Sequence, residues 1–337
     1  MKELLVVSAS PHIHSRASTN RAMSTVIIAL APAFFYSIFI FGWHALLLCV
    51  LSVVASVGIE ALAQRLLGRK VTITDGSAFI TGILLAFSLP PGVPFWIPIA
   101  GSIFAIVVVK QLFGGLGHNF INPALAGRAF LMASWPSLLM TRWLAPFGGT
   151  LSGMDSITGA TPLSLLKNPA NYGNPDFIFT QLNTSSMIKN LFIGKIGGSI
   201  GETSALLLLI GGLFLMVTGI VDFRIVTSFL GSFALFVLVL PTKGNILFHF
   251  FSGGLLLGAF FMATDWVTTP VTKKGRWIFG TGCGIITAII RQWGSYPEGV
   301  SSAILLMNIL TPLIDQLTRE RVFGAVSTKL QGKEVIK

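Results

Sequence analysis

Seven ionisable residues, Glu60, Asp75, Lys110, Arg128, Asp265, Arg291 and Asp315, stand within or beside long apolar runs. A charge in apolar surroundings is costly unless it is paired, hydrogen-bonded or wetted, so each is a candidate for cofactor contact or ion handling. Most also lie near the ends of those runs, where a long side chain reaches water cheaply, and plain structural pairing accounts for them as well. A second concentration of polar chemistry is hydroxylic: Asp155-Ser156-Ile157-Thr158-Gly159-Ala160-Thr161, followed by Pro162. As backbone alone this is an Asp/Thr-rich turn, with Thr161 capping whatever follows. The histidines, at 12, 14, 44, 118 and 249, have no ligand partner at metal spacing. Cys49 and Cys283 stand singly in apolar runs with no CxxC, so no metal, disulfide or iron-sulfur site is expected. Gly114 to Gly117 is not a nucleotide loop, because it joins two apolar runs without a preceding strand.

The elements that must position these residues follow from composition. Of 337 residues, 53% are hydrophobic and 10% charged, against roughly 25% charged in a soluble domain. The apolar runs extend from end to end and cannot all be hidden in one soluble core. The net charge of +11 is scattered between runs and forms no basic stripe with stacking aromatics, which excludes nucleic acid as the natural partner. Taking about 20 apolar residues per ~30 Å crossing, the runs fall near 23–42, 44–63, 77–94, 96–113, 122–140, 203–221, 225–241, 246–264, 276–291 and 299–317. They are continuously apolar rather than alternating, so helices are expected and not a barrel. The expected fold is an all-α polytopic membrane protein of about ten transmembrane helices. With residues 1–22 as a leader on the cytoplasmic side, sixteen flanking Lys and Arg lie inside and six outside, the asymmetry of the positive-inside rule. Both termini, including the tail 318–337, are then cytoplasmic. The Gly-, Asn- and Ser-rich loop 141–202 is extracytoplasmic.

The blocks on either side of that loop, 23–140 and 203–317, repeat one order of events. Leu89-Pro90-Pro91-Gly92, a span ending at Lys110-Gln111 and a Gly pair in the first are matched by Thr264-Asp265 to Pro270, a span ending at Arg291-Gln292 and Gly294 in the second. Five crossings per block make the expected repeat inverted, and spans interrupted by Pro and Gly at corresponding places point to a central site.

The segment Asp155 to Thr161 resembles the Asp-x-x-Ser/Thr-Gly-Ala-Thr motif at which a flavin transferase attaches flavin mononucleotide (FMN) through its phosphate to the final Thr. The likeness extends to Gly114-Gly-Leu-Gly-His-Asn119-Phe-Ile-Asn122-Pro-Ala-Leu-Ala-Gly127-Arg128-Ala-Phe, Gly198-Ser-Ile-Gly-Glu202-Thr-Ser, Phe261-Met-Ala-Thr-Asp265 and Tyr296-Pro-Glu-Gly299. Together these resemble the family of the D subunit of the Rnf complex and the B subunit of the sodium-pumping NADH:quinone reductase, over essentially the whole chain. The short leader favours the Rnf type. Trp266 departs from the Pro common after Thr-Asp, and Met307 from a small residue before Asn308, which puts local packing in question rather than function.

The resemblance implies a membrane subunit of a bacterial ion-translocating ferredoxin:NAD oxidoreductase, in the cytoplasmic membrane, with other membrane and peripheral subunits as partners and Na⁺ or H⁺ as coupling ion. It implies an FMN on Thr161, with Asp155, Thr158, Gly159 and Ala160 as the attachment motif, and a noncovalent riboflavin inside the bundle near Pro90 and Asp265. Arg128 and Asp265, lying in family signatures close to helix breaks, are the candidate bundle-side contacts. No residue is assigned a catalytic role, because the flavin ring carries the redox chemistry. A solute permease with an inverted-repeat fold is the rival reading, and it differs at Thr161.

Overall fold

The computed structural model describes residues 18–146, 161–167, 182, 184–240, 244–294 and 296–319. Its regular elements are helices, and the described residues contain no strand. Among the described residues, three helices are long and apolar enough to cross a bilayer: α1 (Thr19–Phe41), α2 (Trp43–Leu66) and α14 (Val300–Thr318). Between them lie α3 (Ser77–Phe87), α4 (Trp96–Ile103), α5 (Pro123–Ser134), α6 (Pro136–Thr141), α7 (Pro162–Lys167), α8 (Ser185–Ile193), α9 (Ala205–Val217), α10 (Phe223–Val239), α11 (Ile246–Phe251), α12 (Leu255–Leu257) and α13 (Lys273–Trp293). The first helix begins four residues inside the expected leader, because the Ser18 side chain accepts from the Arg21 amide and caps it there.

Several expected spans are shorter or divided, each for a local reason. The run 122–140 is broken at Trp135, whose backbone (φ −134°, ψ 59°) leaves the helical region because Pro136 follows it. The run 77–94 stops being helical at Phe87, ahead of Pro90-Pro91. The run 246–264 is cut by Gly253 and Gly254, at φ 67° and 64°, a left-handed pair that side chains with a Cβ rarely adopt. Beyond α4 and α12 the chain widens into π-helix over Phe104–Gln111 and Gly258–Met262. The Leu112 and Ala263 amides accordingly donate five residues back, to Val107 and Gly258.

Broken helices leave backbone groups that must be satisfied by other segments. At the first break the Leu89 carbonyl accepts from Ile200 at 3.0 Å, the Gly92 amide donates to Arg142 at 3.1 Å, and His44 Nδ1 lies 2.7 Å from the Pro91 carbonyl. The breaks are therefore built into the core, where Phe87, Leu89, Ile97, Ile200, Phe229 and Phe279 are all buried. Helices α10 and α13 pack closely: Gly280 and Gly284, one turn apart, admit Ser228 and Ser232 so near that an added Cβ would collide with both hydroxyls. This is the small-residue packing that lets helices approach where water exclusion gives no drive.

Candidate functional site

Among the described residues, two buried polar clusters and a cavity gather five of the seven ionisable candidates, Glu60, Lys110, Arg128, Asp265 and Arg291. In the first cluster Lys110, at the end of the π-helical segment after α4, places Nζ 2.8 and 2.9 Å from the two Glu60 oxygens and 2.6 Å from Ser77 Oγ. Gln111 Nε2 donates to Glu60 Oε1 at 2.8 Å, and Gln64 donates to it at 3.3 Å. Both charges are almost completely buried, at 2% and 1% side-chain exposure, so the ring of donors is what makes an ionised pair tolerable there. Asp75 only caps α3, accepting from the Ser77 amide and hydroxyl at 2.8 and 2.7 Å.

Beside this pair lies a cavity of about 280 Å³. Its wall draws on both blocks: Ser77, Thr81, Lys110, Asn119 and Asn122 from the first, Phe260, Phe261, Thr264, Asp265 and Trp266 from the second. Both π-helical segments contribute lining residues, in keeping with the frequent placement of such bulges at functional sites. Mostly apolar walls with a few convergent polar groups are the usual make-up of a small-molecule site. Asp265, half-buried, is held by Thr268 Oγ1 at 3.3 Å and the Val267 amide at 3.4 Å. Pro90 is not part of this wall.

The second cluster joins Arg128 of α5 to Glu298, with which it makes a close ion pair, and to Glu202 at 4.0 Å. Arg128 thus stands apart from Asp265 and the cavity wall. Arg291 is turned onto backbone: Nε donates to Glu298 O at 3.1 Å, Nη1 to His249 O at 2.6 Å, and Nη2 to Ser252 O and Gly253 O at 2.9 and 3.0 Å. Glu202 and Glu298 fall outside the ionisable candidates of the sequence, since neither interrupts an apolar run; their presence in two of the quoted signatures is the signal that could have found them. Asp315 is a cap, accepting from the Val271 amide at 3.0 Å and the Thr272 amide at 3.4 Å.

Thr161 is 8% exposed and stands at the head of α7. Its Oγ accepts from the Ser164 amide at 3.2 Å and lies 3.0 Å from Ser164 Oγ, an N-cap arrangement. Leu166 fixes α7 in a small apolar cluster with Leu182, Leu191 and Phe248. Lys167 donates to Ile290 O at 3.1 Å and Tyr296 O at 2.8 Å. Burial, and then the nearby Arg291 charge, hold the Lys167 ammonium below the ordinary lysine range. Asp155, Thr158, Gly159 and Ala160 lie outside the described residues.

Residues 6–324 match the NQR2, RnfD, RnfE family. The chain belongs to that family. Within it, the chain is similar to the D subunit of the Na⁺-translocating ferredoxin:NAD⁺ oxidoreductase complex of Acetobacterium woodii, 48% identical over 336 residues, covering 99% of this chain and 100% of the relative. The D subunit of the proton-translocating ferredoxin:NAD⁺ oxidoreductase complex of Clostridium ljungdahlii is 42% identical over 328 residues, covering 96% and 97%. The D subunit of the ion-translocating oxidoreductase complex of Stutzerimonas stutzeri is 41% identical over 332 residues, covering 92% and 93%. Two relatives of similar likeness are thus named for different ions, so overall identity does not assign the coupling ion.

Proposed function

We propose that this chain is the flavin-bearing, D-type membrane subunit of an ion-translocating ferredoxin:NAD⁺ oxidoreductase, relaying electrons through an FMN joined by its phosphate to Thr161. The observation that carries the reading is Thr161 itself, the last residue of the motif that resembles the attachment sequence, with its oxygen at the N-cap of α7. An ester formed there replaces only the hydroxyl proton, and the oxygen keeps a lone pair for the Ser164 amide, so the residues fit the group. Bound FMN supplies one-electron transfer, while the chain supplies position and electrostatics. A tether also makes retention of the flavin intramolecular on the extracytoplasmic face. The cavity between Lys110 and Asp265 is the proposed seat of a noncovalent riboflavin, with Asn119, Asn122 and Thr264 among the polar residues that would hold it.

In this reading the two blocks are inverted five-crossing repeats in the bacterial cytoplasmic membrane. Both π-helical segments reach the cavity, and the other subunits and a flavin transferase complete the system. Na⁺ or H⁺ is the ion moved. The deciding experiment is co-expression with the transferase, denaturing gel electrophoresis and flavin fluorescence: the band is expected to glow, and Thr161→Ala to abolish it. A dark band with no added mass at residue 161, from a chain that conducts solute in vesicles, would favour the permease reading, which the cavity between the blocks also suits.

A further inference from the structure

The helix that carries the attachment threonine is six residues long, far short of the ~12–15 residues at which an isolated helix begins to hold itself. Its position must come from tertiary contacts. Leu163 and Leu166 supply apolar burial, which is non-directional and leaves the helix free to slide or roll. Lys167 supplies the directional contact. Its Nζ reaches the carbonyls of Ile290, in the last turn of α13, and Tyr296, just beyond it, at 3.1 and 2.8 Å. The Ile290 carbonyl also accepts from the Gly294 amide at 2.8 Å, and the negative end of the helix dipole favours a cation beside it. Thr161 immediately precedes the other end of α7.

We propose that Lys167 is a positioning residue for the tethered flavin, clamping α7 to the end of α13 so that whatever hangs from Thr161 keeps a fixed distance from its electron partners. The inference rests on the reading of Thr161 as the flavin attachment site. Arg291 supports the clamp from behind, because its own bonds to Ser252, Gly253 and Glu298 carbonyls fix the surface on which α7 rests. Leu163 packs against Gly253 on that same surface. A flavin on a short arm swings with its anchor, and transfer over a given distance weakens steeply as that distance wanders.

The test uses the full chain, co-expressed with its transferase and partner subunits, as the parent and as Lys167→Met and Lys167→Arg. Methionine keeps the stem packing and removes both hydrogen bonds, whereas arginine restores a donor cation. In Lys167→Met the in-gel fluorescence per chain is expected to equal the parent's. Hydrogen–deuterium exchange over residues 163–167 should rise several-fold, and the steady-state anisotropy of the bound flavin should fall. Arginine should return both towards the parent. Unchanged exchange and anisotropy in a fluorescent Lys167→Met protein would overturn the clamp alone. A parent chain with no covalent flavin would overturn both the clamp's role and the attachment reading.

Discussion

The Lys110 and Arg128 clusters solve one problem, a cation inside a helical bundle, in two ways. Lys110 is matched to a single carboxylate, Glu60, by a local ring of amide and hydroxyl groups, and it faces a cavity. Arg128 is shared between two carboxylates from distant parts of the chain, with a second guanidinium within electrostatic reach of both. Arg128 lines no cavity wall beside Asp265, and Arg291 is spent on carbonyls. The first arrangement has one contacting carboxylate and open space towards a second, Asp265, as a site needs. The second is redundant, as a fastening needs.

That contrast can be broken most sharply by removing one cation at a time. Lys110→Met strands Glu60 without a counter-charge and is expected to destabilise the protein by about 3–5 kcal/mol, read as a large fall in unfolding temperature in detergent. Adding Glu60→Gln should recover most of the loss, and a single variant that melts with the parent would mean the pair is not buried as described. Arg128→Met should cost less, about 2 kcal/mol, because Arg291 still faces Glu202 and Glu298; an equal cost would erase the distinction between the clusters. Asp265→Asn should leave the unfolding temperature near the parent's yet lower the noncovalent flavin extracted per chain several-fold, and undiminished extractable flavin would remove Asp265 from that site.

The smallest effect belongs to a third, more exposed ion pair. Asp222 caps α10 and accepts from Arg276 at 2.5 Å. Burial alone would raise its carboxyl, but hydrogen bonds from the Arg224 amide and the Arg276 guanidinium, with the two positive charges, hold it below the ordinary aspartate range. A depressed carboxyl contributes stability that is present above its unfolded value of about 3.9 and is lost as pH falls through the lower folded value. Asp222→Asn is therefore expected to melt slightly lower than the parent at pH 7, with the gap closing as pH falls through the depressed folded value. A gap that persists in strong acid would assign the cost to the cap rather than to charge.

How much of this is legible in the sequence depends on how local its cause is. The long helices α1, α2 and α14 are legible because each is one unbroken apolar run. The break before Pro90 is legible because proline forbids the continuing helix. The cut at Gly253-Gly254 is not, since two glycines inside an apolar run also suit close helix packing. The π-helical segments leave no periodic trace, because a single widened turn is set by what packs against it. The attachment motif stands out as a contiguous string, whereas the partnership of Arg128 with Glu298 spans 170 positions and needs the fold to be seen. Lys167 is only a loop cation until its two carbonyl partners are in place.

Arg291 closes four backbone carbonyls around a reversal of the chain at Ser252-Gly253. Carbonyls at such a turn ordinarily demand hydration, and hydration deep in a bundle is a conduit. By standing in for that solvent, one buried guanidinium lets the polypeptide double back without leaving the carbonyls of the turn orphaned.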